Sequence, residues 1–148
     1  MRPSSRAVDA IRRGKATLEP RNLDVNLPMQ EYRFLIPECL DGTNVPQPGF
    51  RFEKLKQGLV KLANGYTTHR VEGAWKNNDE TTCEPCRQFI VAISDEQRLL
   101  LFAMIHACRE KFYQQAIYVA NGEHSWLIDH TYQPDPNAKR QARDLLQL

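Results

Sequence analysis

The hydrophobic residues of the chain predict an α+β fold with the element order βαββαβ, an antiparallel sheet and two helices. Three observations carry this prediction: short apolar runs of strand length, two longer stretches of helical period, and chain-breaking residues between them. In order, the runs are EYRFLI, FRFEKLKQGLVKLANG, YTTHRVEGAW, RQFIVAI, SDEQRLLLFAMIHACREKF and QAIYVA. They limit the architecture but leave the chemistry open, because this arrangement hosts enzymes, sensors, RNA binders and oligomer scaffolds alike.

The first strand is predicted at residues 32–36, followed by a loop rich in proline and glycine. Apolar residues then recur at three- and four-residue steps over residues 52–62, which predicts the first helix. Asn64 and Gly65 supply the left-handed stop that ends it. Gly58, inside this helix, costs about 1 kcal/mol relative to alanine unless another element packs closely there.

The second strand is predicted at residues 66–75 and the third at residues 87–93, with a polar turn at residues 76–80. Ser94 and Gln97 form a capping box that opens the second helix. The apolar stripe of that helix comprises Leu101, Met104, Ile105, Cys108 and Phe112.

The segments QAIYVA and EHSWLID flank Asn121-Gly122, the preferred dipeptide of a type I′ hairpin turn, and predict a fourth strand and a fifth at one edge. Pro134 and Pro136 then break the chain. Residues 138–148 can form a short amphipathic helix that docks on the body or on a partner.

Right-handed crossovers of both strand-helix-strand units predict a ferredoxin-like sandwich, with strand order 4-1-3-2 and both helices on one face. Strand alternation turns Phe89, Val91 and Ile93 towards the helices. The residues expected on the other, open face are Leu35, Gln88, Ile90, Ala92 and Tyr118. Monomers seldom leave such an apolar patch bare, so we expect a second subunit, a tail or a ligand to cover it, which favours a homo-oligomer.

The predicted organisation is a basic, partly disordered arm at residues 1–30, a domain at residues 31–130, and a tail or short helix at residues 131–148. Residues 1–15 hold five basic residues and one acidic residue, a net charge of +4, so the rest of the chain is −2 out of a total of +2. The basic character therefore belongs to the arm, and nucleic-acid binding is disfavoured except through that arm. No apolar stretch is long enough to span a bilayer, and the cytoplasm is the default location.

The densest group of polar and aromatic residues is G73-A-W75 followed by C83-E-P-C86, in the connection between the second and third strands. Trp75 and Glu84 are candidates for ligand contact at this rim, although a packed anchor and a solvated carboxylate are the simpler interpretations. The candidate ligand-binding residues are Gly73, Trp75, Glu84, Arg87 and Gln114.

Thiols could converge at the same rim, because Cys39 ends the first strand beside Cys83 and Cys86. Zinc needs four ligands and only three are in view, so a zinc site is a minor alternative and the function otherwise requires no cofactor. Redox chemistry of C-E-P-C is disfavoured because the motif leads into a strand and not into a helix N-terminus.

The stretches G73-A-W75, E84-P85 and K111-F-Y-Q114 resemble a family of small uncharacterised bacterial proteins with the pattern G-x-W, E-P-S and K-x-F-x-Q. The resemblance covers about residues 31–120 and implies the same fold. It points to Trp75, Glu84 and Gln114, but the family has no established activity to carry over. Cys86 stands where the family has serine, which argues against an obligate cysteine there.

The leading hypothesis is a non-enzymatic homo-oligomer that binds a small ligand or a protein partner at the rim of Trp75 and Glu84. The alternative is a cofactor-independent enzyme, in which two subunits packed sheet to sheet form a barrel. That alternative needs a polar group, a histidine or a carboxylate, on the open face. A third class, nucleic-acid binding through the N-terminal arm, predicts affinity that collapses with salt.

Overall fold

A computed structural model gives the fold, and it describes residues 28–40 and 43–148. The predicted N-terminal arm lies outside these residues except for its last three positions. Within the described part, no helix is long and apolar enough to cross a membrane.

Five strands form one antiparallel sheet: β1 (Met29–Pro37), β2 (Thr67–Asn77), β3 (Glu80–Ser94), β4 (Ala116–Ala120) and β5 (Ser125–Asp129). Their order across the sheet is β2-β3-β1-β4-β5. This is the predicted order of four strands with the fifth added at the edge beside β4.

In the described part of the chain three α-helices accompany the sheet, α1 (Gly49–Ala63), α2 (Arg98–Lys111) and α3 (Pro136–Leu145), and a 3₁₀ turn (Asp95–Gln97) leads into α2. Asn64 ends α1 in the left-handed conformation, with φ of 61°. Ser94 and Gln97 form the expected capping box, in which the Ser94 amide donates to Gln97 Oε1 at 3.1 Å. Both sequence signals are therefore confirmed, because capping depends only on residues close in the chain.

Helices α1 and α2 lie on the same face of the sheet and share a single core with it. Phe34 of β1 stacks on Phe89 of β3 with ring centroids 5.4 Å apart, and Phe52 of α1 lies 6.4 Å from the same Phe89 ring. Phe102 of α2 packs edge-to-face on Tyr32 of β1 at 6.0 Å. The prediction that the two helices cover the same face is confirmed.

Helix α3 docks on the other two helices and completes the core. Leu146, just after it, is only 3% exposed. A Cβ added to Gly58 of α1 would lie 3.1 Å from the Leu145 carbonyl oxygen and 3.1 Å from Met104 Cε. This close approach is the reason for a glycine inside α1, and it shows that the C-terminal segment packs on its own chain.

The long β2–β3 hairpin differs from the sequence prediction. β3 begins at Glu80 and not at residue 87, so the C-E-P-C motif lies inside a strand. Pro85 is tolerated there because its carbonyl faces the β1 side, where the Glu38 amide donates to it at 2.9 Å. The N–H and C=O of one strand residue point the same way, so the missing N–H of Pro85 costs no bond to β2.

The β4–β5 turn also differs from the predicted type I′ turn. Asn121 pairs with His124 through the Asn121 amide and the His124 carbonyl at 3.0 Å, which leaves Gly122 and Glu123 at the centre. Of these residues only Gly122 has positive φ, at 92°. A positive φ at the first central residue alone is the requirement of a type II′ turn, and glycine meets it.

Candidate functional site

The sheet face away from the helices carries the uncovered apolar surface. Leu35, Ile90 and Ala92 are half-buried in its middle, as predicted. Tyr118 of β4 and Leu127 of β5 are paired neighbours on it, 39% and 68% exposed. Within the described residues no helix lies over this face, and its apolar side chains are interrupted by the Arg33–Glu31 ion pair of β1, which lies beside Ile90 and Ala92.

The same face carries polar groups towards β2. His69 pairs directly with Gln88, and Gly73 pairs directly with Glu84, and paired residues point to the same side of a sheet. Since Gln88 lies on the open face, strand alternation places His69 and Glu84 there as well. The open face therefore offers an imidazole and a carboxylate beside its apolar centre.

The indole of Trp75 is held over Gly73 by Glu84. Its Nε1–H donates to Glu84 Oε1 at 2.5 Å. A Cβ at Gly73 would come within 3.2 Å of Trp75 Cζ2. The indole ring therefore packs directly on the Gly73 backbone, in space that a side chain would otherwise occupy. Three of the five candidate ligand residues therefore form one structural unit, which we call the Trp75 platform: Gly73, Trp75 and Glu84.

The Trp75 platform is fixed yet accessible. Trp75 remains 38% exposed, and Glu84 is half-buried. An aromatic ring face attracts cations and stacks on flat ligands, and an adjacent carboxylate adds attraction for positive charge and for hydrogen-bond donors. The geometry thus suits a ligand that combines a planar ring with a positive charge.

Cys86 lies beneath the platform and does not add a nucleophile. A Cβ at Gly73 would meet its Sγ at 2.9 Å. Burial, followed by the negative charge of Glu84, raises the pKa of the Cys86 thiol to about 11. The thiol is therefore protonated at neutral pH and acts as a small apolar side chain.

The structure does not bring the three predicted thiols together as a metal site. Cys83 and Cys86 are three residues apart in a strand, so their side chains point to opposite faces. Cys83 is exposed, Cys86 is buried and Cys39 lies in the loop after β1. No group of three or more metal-ligating side chains occurs in residues 28–40 and 43–148. The expected convergence was wrong because it placed the motif in a turn, where spacing does not fix the direction of side chains.

Arg87 lies on the helix side of the sheet and not with Trp75. Its guanidinium stacks 4.6 Å from the Phe52 ring centroid, and its Nε donates to Glu38 Oε1 at 3.1 Å. Arg70 binds the same carboxylate through two bonds of 2.8 and 2.6 Å. Hydrogen bonds and charge from Arg70, and then from Arg87, outweigh burial and lower the pKa of Glu38. This cluster fastens the end of β1 to the β2–β3 hairpin.

Gln114 is likewise separated from the platform. It is buried after α2, where its Nε2 donates to the carbonyl oxygens of Phe112 at 3.0 Å and of Cys39 at 3.3 Å. Gln47 makes a parallel pair of bonds to the same two carbonyls, at 2.6 and 3.3 Å. These amides join the loop after β1 to the end of α2. Gln47 carried no sequence signal, because it sits in a breaker-rich loop without periodicity.

The described part of the chain is a small α+β protein with a five-stranded antiparallel sheet. No family model matches it, and no curated protein matches it. Its fold is similar to that of a phage SAM lyase in complex with S-methyl-5′-thioadenosine, with a TM-score of 0.53 and 13% identity over 71% of this chain and 93% of that chain. The phage SAM lyase in its apo state gives a TM-score of 0.51 and 11% identity over 70% of this chain and 90% of that chain. At these identities the similarity establishes the fold alone.

Proposed function

We propose that this chain is a homo-oligomeric, ferredoxin-like binding protein whose site is the Trp75 platform on the open sheet face. Its ligand is a small molecule that combines a planar ring with a positive charge. The observation that carries the proposal is the indole of Trp75, fixed by Glu84 over Gly73 and still exposed. An aromatic ring packed on a strand glycine also occurs as a purely structural feature, so the support for binding is that the fixed ring keeps 38% of its surface exposed beside a carboxylate.

The expected ligand chemistry follows from the two functional groups of the platform. A cation over a tryptophan ring contributes about 0.5–1 kcal/mol at an exposed site and more when water is excluded. The Glu84 carboxylate adds an ion pair on the same side. A neutral ligand of the same shape retains the stacking and loses both charge contributions, so charge should discriminate between ligands.

The homo-oligomer is proposed because the face that carries the platform at its β2 edge also exposes apolar side chains towards its β5 edge. Leu127, 68% exposed, and Tyr118 would be buried by a second copy, as would the half-buried Leu35 and Ile90. A partner subunit that spanned the sheet as far as its β2 edge would also enclose the platform and exclude water from it. Native mass spectrometry of the full chain should report a defined oligomer, and a strict monomer at micromolar concentration contradicts this part of the proposal.

The phage SAM lyase supplies the choice of ligand to test first. S-adenosylmethionine joins a purine to a sulfonium cation, whereas S-methyl-5′-thioadenosine has the same purine and no charge. The two molecules share the purine and differ in the sulfonium charge and in the amino-acid chain that only S-adenosylmethionine carries, so the Glu84→Gln variant is needed to isolate the effect of charge at the platform. We infer that S-adenosylmethionine binds more tightly, because only its cation uses Glu84.

The experiment is isothermal titration calorimetry of the full chain with both molecules. Trp75→Leu should weaken both by at least about tenfold, since it removes the ring. Glu84→Gln keeps a hydrogen-bond acceptor for the indole and should weaken only the sulfonium ligand. Glu123→Gln, at an exposed carboxylate in the β4–β5 turn, is the matched control. Equal binding of both ligands by the wild type and Glu84→Gln, or no binding at all, contradicts the proposed ligand class.

A second candidate function is a cofactor-independent enzyme of the dimeric α+β-barrel type. It is favoured by one observation: His69 and Glu84 lie on the face that a partner would enclose, which supplies the polar groups such an enzyme needs. Chromatography of S-adenosylmethionine incubated with the protein tests it. Turnover that is lost in both His69→Gln and Glu84→Gln supports the enzyme. An unchanged substrate peak contradicts the enzyme and favours the binding protein.

A further inference from the structure

A second concave site lies on the helical side of the molecule, away from the open sheet face. It is a pocket of about 220 Å³ between the start of α1, the end of α2 and the segment after α3. The inner wall of the pocket is apolar and is formed by the buried side chains of Leu55, Cys108 and Phe112. Burial alone raises the pKa of the Cys108 thiol to about 12, so that thiol contributes no charge.

The rim of this pocket is positively charged. Arg51 and Lys54 of α1 and Lys111 of α2 line it, and no acidic side chain does. Among the described residues, none of these three cations forms an ion pair with a carboxylate. Lys54 Nζ donates to the Gln147 carbonyl oxygen at 3.3 Å, and a bound anion would give the three cations a charged partner that the described side chains do not supply.

Arg51 is held in place by neighbours that leave its charge uncompensated. One of its terminal nitrogens donates to Gln47 Oε1 at 2.8 Å, and its guanidinium lies 4.9 Å from the Tyr113 ring centroid. Gln47 is itself buried and fixed by its 2.6 Å bond to the Phe112 carbonyl. The guanidinium is therefore oriented before any ligand arrives, and it carries further N–H donors.

Tyr113 adds a strained residue to the same rim. It follows Phe112, the C-cap of α2, with φ of 54°, in the left-handed region that L side chains rarely adopt. The Gln114 amide donates to the Arg109 carbonyl at 2.9 Å and the Tyr113 amide to the Glu110 carbonyl at 3.2 Å, which is the Schellman pattern that usually has glycine at this position. Here a tyrosine, 63% exposed, takes that position and lays its ring against Arg51. Such strain is typical of functional sites.

We propose that this pocket binds a small organic anion: a carboxylate or phosphate monoester on a compact aromatic or short aliphatic group. The anion would meet Arg51, Lys54 and Lys111, and the apolar group would enter the cavity beside Phe112. The volume is below the range of 300–1,000 Å³ usual for drug-sized ligands, which limits the ligand to a small body. The site uses none of the residues of the Trp75 platform, so either proposal can fail without the other.

The first test is a titration of the full-length ¹⁵N-labelled protein followed by NMR. Phenyl phosphate is the anionic probe, and benzyl alcohol is the neutral probe of similar body. Phenyl phosphate should give saturable amide shifts confined to residues 50–55, 108–113 and 146–148, with benzyl alcohol at least about tenfold weaker. Shifts that are not saturable, that spread over the whole surface, or that are equal for both probes overturn the proposal.

Three variants separate binding from folding. Arg51→Gln should weaken phenyl phosphate by at least about tenfold, while Lys61→Gln removes an exposed charge from the last turn of the same helix and should leave the affinity unchanged. Tyr113→Gly relieves the backbone strain and should keep or raise the unfolding temperature while weakening the probe several-fold. Unchanged affinity in both Arg51→Gln and Tyr113→Gly, or an equal loss in Lys61→Gln, contradicts a built site.

Discussion

Gly73→Ala places one methyl group at the closest-packed point of the open face. The new Cβ would lie 2.9 Å from Cys86 Sγ and 3.2 Å from Trp75 Cζ2. Carbon atoms at rest prefer separations of about 3.5–4.0 Å, so the sulfur and the indole must both move by several tenths of an ångström. Gly73 has no positive φ, so the alanine meets no backbone strain and the contacts alone decide the outcome.

Two opposing effects set the size of the change. Overpacking a tight site costs about 1–3 kcal/mol. Replacing a glycine inside a strand regains about 0.5–1 kcal/mol of unfolded-state entropy. The overpacking is the larger effect, so we expect a net loss in unfolding free energy of about 0.5–2 kcal/mol. The displaced indole should also lose its bond to Glu84, which weakens any ligand of the platform.

A double-mutant cycle measures the contact itself. Cys86→Ala removes the sulfur, so the double variant Gly73→Ala with Cys86→Ala has room for the new methyl group. Urea unfolding followed by circular dichroism should show the double variant to be more stable than the sum of the two single changes by about 1 kcal/mol. If the two changes add to within about 0.5 kcal/mol, Gly73 and Cys86 are not in contact and the Trp75 platform is misdescribed.

Three further predictions concern packing, pH and thiol chemistry. Leu146→Ala should lower the unfolding free energy by about 2–4 kcal/mol in urea, whereas Leu148→Ala, at a more exposed position, should cost far less; equal losses would mean that α3 is not docked as described. Glu38 has a lowered pKa in the folded state, so it stabilises the protein above its unfolded pKa of about 4.3, and this contribution is lost as the pH falls through the folded value. Glu38→Gln should therefore cost about 1–2 kcal/mol at neutral pH and flatten the acid limb of a stability–pH curve, and an unchanged limb contradicts the described cluster. Iodoacetamide at mildly alkaline pH should label Cys83 in the native protein and Cys86 only after unfolding, as read by mass spectrometry, and early labelling of Cys86 contradicts its burial.

Local signals in the sequence predicted most of the fold. Asn64 ends α1 and the Ser94–Gln97 box opens the second helix because caps involve neighbours in the chain. Alternation along β3 separated the core residues from the open face, since it depends only on the two-residue period of a strand. Gly58 signalled a close approach before the approaching element was known.

The site was only partly predictable. Gly73, Trp75 and Glu84 were expected together, and the structure unites them across one strand pair. Arg87 and Gln114 were expected at the same rim, but Arg87 alternates in β3 with the core-facing Phe89, and Gln114 follows α2 and bonds to the loop after β1. No sequence pattern indicates how many residues of a hairpin stay paired beyond a proline such as Pro85.

The amino-acid sequence by itself determined the element order, the strand order and the two faces of the sheet, because these follow from periodicity, caps and the handedness of crossovers. Tertiary structure decided what each side chain meets: the indole over Gly73, the thiols on opposite faces, and the cationic pocket beside Tyr113. The physical reason is the distance along the chain over which each kind of interaction acts. Periodicity acts over a few residues, whereas the pocket joins residues more than fifty positions apart whose approach depends on the packing of three helices.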